Sequence, residues 1–155
     1  MRDTSQTDRT HSAARLIRAT QDAIYDAFIQ PEKLVRWLPP DSASGEIRHF
    51  DPREGGRFEI MLTFALAPGK SSEHEDVVRG HFLRILPGKL IVQAVDFVSD
   101  RPEFAGTMTM TWSLSPAADG TLVSLLAEDV PVGISRADHE LGMASTLENL
   151  ARHVE

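Results

Sequence analysis

Hydrophobic periodicity changes several times along this chain, and the changes divide it into elements. Ala13, Arg15, Ile17 and Ala19 alternate with Ala14, Leu16 and Arg18, which predicts a strand over 13–19. Thr20 then stands as a helix cap, with Asp22 in the first turn favourably placed against the helix dipole. Ile24, Ala27 and Phe28 share one face of that helix. It stops near Gln30, because Pro31 disfavours helical geometry in the residue before it and suits the first turn of a new helix. The second helix carries Leu34, Val35, Trp37 and Leu38 and cannot pass Pro39-Pro40.

From Gly45 onward the period is that of strands, predicted at 45–50, 57–65, 76–85, 90–97, 106–114 and 122–128. The clearest alternation lies within 107–114. Thr107, Thr109, Thr111 and Ser113 fall on one face there, and Met108, Met110, Trp112 and Leu114 on the other. Pro68-Gly69, Pro87-Gly88 and Asp119-Gly120 supply short turns, so neighbouring strands run antiparallel. Ser135 with Asp138 three residues on opens a final helix over 135–155, in which Leu141, Ala144, Leu147, Leu150, Ala151 and Val154 recur at helical spacing. Gly142 inside it costs about 1 kcal/mol against alanine, which predicts either close approach of another element or a cavity wall there.

A sheet with one apolar face has to be covered, and the last helix is the element long enough to do so. The predicted class is therefore α+β: a curved antiparallel sheet of six or seven strands wrapped around a long C-terminal helix, with two short helices after the first strand. Nothing in the chain reads as a repeat or a linker. We expect a polar, disordered arm over 1–12 and a single domain over 13–155.

Composition narrows the chemistry. The chain has no cysteine, which removes thiol catalysis and thiolate metal sites. Its polar start has no apolar core that would make a signal peptide, and no stretch approaches the length of a membrane span, so a cytoplasmic location is expected. A formal net charge of -7, with scattered Arg and Lys, disfavours nucleic acid. The partners left to expect are a small hydrophobic ligand or a protein.

The order of elements resembles the helix-grip fold of the START-like (SRPBCC) superfamily. Arg18-Ala19, the run from Phe28 to Leu34 with Trp37, and the run from Asp51 to Phe58 resemble the branch named after the activator of the heat-shock protein ATPase. So does the segment from Asp138 to Leu150, except that Met143 stands where that branch usually has Trp. Members of the superfamily include lipid and hormone binders, polyketide cyclases and oxygenase domains. The resemblance therefore implies a fold and a pocket rather than one activity.

No nucleophile elbow, P-loop, dinucleotide fingerprint or zinc-protease helix is present. His11, His49, His74, His81, His139 and His153 lack the close spacing of metal ligands, so neither metal nor cofactor is expected. Gly55-Gly56 reads as a bend, since no helix follows to bind phosphate. Glu59, Arg79 and His81 interrupt apolar strands and are expected to face outward. The leading reading is a pocket between the sheet and the last helix, lined by Trp37, Phe58, Ile60, Phe82, Met110, Trp112, Met143 and Leu147, for a small hydrophobic or amphipathic ligand. Two alternatives stand beside it. One is a co-chaperone-like interaction domain. The other is a cofactor-free cyclase using Glu59, His81 or Asp96 as acid or base.

Overall fold

The computed structural model describes residues 9–40, 43–65, 69–72 and 74–155. Strands β1 (His11–Ile17), β2 (Ala43–Phe50), β3 (Arg57–Phe64), β4 (Glu75–Leu86), β5 (Leu90–Phe97), β6 (Met108–Ala117) and β7 (Gly120–Glu128) form one antiparallel sheet, in the order β1-β7-β6-β5-β4-β3-β2. Helices α1 (Gln21–Ile29) and α2 (Pro31–Trp37) follow β1, and α3 (Arg136–Val154) ends the fold. Strands β2 to β7 are a meander, and β1 joins it at the free side of β7. The sheet curls into a half-barrel around α3, with two bulges adding to its bend: between Ile47 and His49 in β2, and between Phe82 and Arg84 in β4.

The caps read from sequence are in place. Thr20 accepts from the amide of Ala23, Ser135 accepts from the amide of Asp138, and Pro31 occupies the first turn of α2. Gly55 has φ 81, and its amide donates to the Phe82 carbonyl at 2.8 Å, tying the turn before β3 to the β4 bulge. A side chain at Gly56 would meet the Asp51 carbonyl at 2.0 Å, so this bend requires glycine.

Helix α3 runs along edge strand β1, close to α1 and α2 as well. Its carboxylates occupy amides that the edge strand cannot pair: Ser12 N–H donates to Glu140 Oε2 at 2.9 Å, and the Arg18 amide just beyond β1 donates to Glu155 Oε2 at 3.0 Å. Arg136 donates to the Thr10 carbonyl at 2.8 Å. An edge strand held this way is poorly placed to pair with another chain.

Three expectations need correction. The first strand spans His11–Ile17 rather than 13–19, because its ends are set by pairing with β7, from His11 opposite Ala127 to Ile17 opposite Thr121. Of the arm expected over 1–12, Met1 to Asp8 lie outside the described residues, whereas Arg9 to Ser12 are anchored. Arg9 Nε donates to the Val130 carbonyl at 2.8 Å, and His11 is only 1% exposed. Their polar side chains serve hydrogen bonds to the neighbouring backbone and to α3, a use that composition does not reveal. Gly142 does not interrupt α3, and of its two readings close approach fails: a Cβ built there meets no atom of the described residues within 4 Å. Pro68 of the predicted Pro68-Gly69 turn lies outside the described residues.

The core sits between the concave face and the helices, and aromatic side chains from α1 and α2 fill its centre. Phe28, Trp37 and Trp112 form a triangle with ring centroids 5.1 to 5.9 Å apart. Both indoles are satisfied, Trp37 by the Ala27 carbonyl and Trp112 by Gln93 Oε1, each at 3.0 Å. Trp37 is fully buried, so Trp37→Ala should lower unfolding free energy by about 3–5 kcal/mol. Urea unfolding is expected to show a lower midpoint with an unchanged slope; a loss under 1 kcal/mol would mean that the triangle is not the centre of the core.

Candidate functional site

Register assigns the concave face residue by residue. Phe82, Gln93, Met110, Ala127 and His11 lie in one row, Ile91, Trp112, Leu125 and Ala13 in the next, and Phe58, Gly80, Val95 and Met108 in a third. Glu59, Arg79 and Asp96 form a ladder on the opposite, convex face, where Arg79 pairs with Glu59 at 3.2 Å. His81 is exposed on the same side.

One end of the half-barrel is closed. In front of Trp112 the void enclosed by Ile24, Phe28, Ile91, Leu150 and their neighbours measures about 10 Å³, at the lower limit for a single water and without polar lining. A cavity was expected here, on the argument that one helix could not fill the concavity. Phe28 and Trp37 fill it instead, since α1 and α2 insert their aromatic faces between α3 and the sheet.

The other end, beside the first turns of α3, is less complete. Val78, Phe97 and Met110 face the concave side but are only partly buried. On α3, Gly142, Thr146 and Asn149 share one flank by helical spacing. Thr146 Oγ1 and Asn149 Nδ2 donate to the carbonyls of Leu38 and Pro39 at 3.4 and 3.1 Å, closing the flank toward α2. One turn earlier, at Gly142, no atom of the described residues occupies the side-chain position. Beyond the closure, Val35, Pro39, Ala43, Asn149 and His153 border an open groove of about 680 Å³.

Polar groups gather at this less complete end. His11 Nδ1 and His139 Nδ1 are 2.8 Å apart, their rings nearly perpendicular. One ring must therefore donate and the other accept, so at least one is neutral. Burial lowers the His139 pKa from 6.5 to about 4, helped by the His11 and Lys70 charges and opposed by Glu140. Lys70 is ion-paired with buried Asp76, which also accepts from the Lys70 amide at 2.6 Å, and its ammonium lies 5.0 Å from the Phe97 ring centre. Among the described residues, no group of three or more His, Asp or Glu side chains could hold a metal ion.

All eight residues expected to line a pocket fall within one apolar cluster. Trp37, Phe58, Ile60, Phe82, Trp112, Met143 and Leu147 are buried in it, and Met110 packs against it partly buried. Only Trp112 borders the small void, and only Met110 retains appreciable exposure. Sequence reasoning missed the His11–His139 pair and the Lys70–Asp76 pair. The histidines are 128 positions apart, beyond any spacing rule. Lys70 and Asp76 are six apart across a turn and carry no motif.

Comparison with known proteins bears on these features. A family model described as Activator of Hsp90 ATPase homolog 1-like protein matches residues 18–155. The chain is similar to a Chromobacterium violaceum protein of known crystal structure, with 28% identity over 95% of this chain and 97% of that one and a TM-score of 0.85. It is also similar in fold to a solution structure from Arthrobacter aurescens (15% identity, 99% and 89% coverage, TM-score 0.78). An AHSA1-like protein from Aeromonas hydrophila shares the fold too (18% identity, 94% and 91% coverage, TM-score 0.72). No curated protein matches the chain. No helix among the described residues is long and apolar enough to cross a membrane.

The histidine pair generates a pH dependence. The folded-state pKa of His139 lies below its ordinary value, so protons bind the unfolded chain preferentially. Its contribution is complete above about pH 6.5 and is lost as pH falls toward 4, by up to about 3 kcal/mol. Urea titrations at pH 7.5 and pH 4.5 should show a smaller stability difference for His139→Gln than for the wild type. Equal differences would mean that His139 titrates normally.

Proposed function

The chain belongs to the Activator of Hsp90 ATPase homolog 1-like family, and from that premise we propose that it binds a small apolar or amphipathic ligand between the sheet and α3. The observation that carries this reading is the uncovered part of the concave face. Val78, Phe97 and Met110 remain partly exposed on the side that the fold otherwise buries, while α3 presents a glycine with empty space at its side-chain position. Apolar surface left open inside a concave fold is a place where burying a ligand gains free energy, at roughly 25 cal/mol per Å².

The site is an open-ended recess rather than a sealed cavity, because the aromatic triangle stops it short of Trp112. Met110 and Met143 suit such a recess, since methionine adapts to differently shaped partners. The cyclase alternative loses support from the placement of its acid and base candidates: Glu59, His81 and Asp96 all lie on the convex face.

A thermal-shift panel of fatty acids, long-chain alcohols and polycyclic aromatics tests the proposal on the full chain. A ligand at one hundred times its dissociation constant stabilises the native state by about 2.7 kcal/mol. Gly142→Leu should fill the recess while improving helix propensity by about 1 kcal/mol, leaving a protein at least as stable that no longer responds. If no compound raises the wild-type midpoint, or if the variant responds as the wild type does, the proposed site is wrong.

A further inference from the structure

Building on the ligand-binding reading, we propose that His139 is the polar anchor of the recess and that the ligand it selects carries a hydroxyl rather than an anionic head. His139 precedes Gly142 and Met143 by three and four residues, so its ring lies on the part of α3 that borders the recess. Its contact, His11, shares a register row with Met110 on the concave face.

The His139 ring has one nitrogen to offer. Nδ1 is engaged with His11. Among the described residues, His139 makes no second hydrogen bond, and no buried side-chain nitrogen or oxygen lacks a partner. Nε2 is therefore not sealed in the core and borders accessible space. Whether Nε2 donates or accepts depends on which histidine donates in the Nδ1 pair. A ligand hydroxyl satisfies both cases, because it can accept from Nε2–H or donate to a bare Nε2.

The surrounding charges disfavour an anion. Two cations of this end have acidic partners: Lys70 is paired with Asp76, and Arg136 lies 3.8 Å from Glu140. A carboxylate entering beside Lys70 and Arg136 would meet positive charge that is already matched and would approach two acidic side chains. Nor does His139 readily become the missing cation, since its buried surroundings favour the neutral imidazole. A neutral head avoids that repulsion and the cost of burying a second charge.

The test compares 1-decanol with decanoate, two probes of one chain length, by calorimetric titration at pH 7.5. Decanol should bind the wild-type chain at least tenfold more tightly. His139→Phe, which keeps the bulk of the ring, should weaken decanol about tenfold and leave decanoate nearly unchanged, as expected for loss of one net hydrogen bond. The imidazole 15N spectrum of the wild-type protein decides without any variant: decanol should move the His139 Nε2 resonance, and decanoate should not. Equal affinities, undiminished decanol binding in His139→Phe, or an unmoved Nε2 resonance on decanol binding would each overturn the anchor and leave the ligand-binding reading standing. If neither probe binds and the thermal-shift panel is also silent, the ligand-binding reading itself fails.

Discussion

A seven-stranded antiparallel sheet that curls on itself has one concave face to bury, and α3 lies along β1 at one edge of it. That mismatch between a wide face and a single helix governs the rest of the fold. Aromatic side chains meet it at one end, where Phe28 and Trp37 descend from α1 and α2 onto Trp112 and leave a void of about 10 Å³. At the other end Val78, Phe97 and Met110 are only partly buried. The same helix that cannot cover the whole face protects the edge strand, because Glu140 and Glu155 reach amides of Ser12 and Arg18.

The two ends differ in chemistry as well as in filling. The closed end is apolar, with its indole N–H groups satisfied internally, and acts as a rigid stop. The less complete end combines methionine and phenylalanine surface with a part-buried histidine pair and a matched ion pair. Burial favours the neutral form of His139, and Lys70 is matched by Asp76. A division of this kind, with an apolar body and a few convergent polar groups, is what small-ligand sites generally use.

Much of this architecture was legible in the sequence. The alternation over 107–114 assigned Met108, Met110 and Trp112 to the dry face, and register confirms that they share the concave side. Thr20, Pro31 and Ser135 marked the helix starts because capping is local chemistry. What could not be read depended on distant partners. Nothing near His11 indicates that β7 will extend the first strand back to it or that His139 will meet its ring. Gly142 is ambiguous in the sequence for a related reason: a glycine in a helix can mean close approach or vacant space, and only the neighbouring elements decide which. Phe28 and Trp37 are recognisable in the sequence as apolar helix faces, but nothing local to them shows that they insert between α3 and the sheet.

The methionines permit a direct measurement of whether the open end receives a ligand. Met110 and Met143 belong to the concave side, Met108 is buried at 2% exposure, and Met61 is on the convex side, where Arg48 contacts its sulfur. In protein labelled with 13C at the methionine methyls, titration with 1-decanol should shift Met110 and Met143 in a saturable way and leave Met61 unchanged. Shifts confined to Met61, or no shift at any methionine at saturating decanol, would contradict a recess between the sheet and α3.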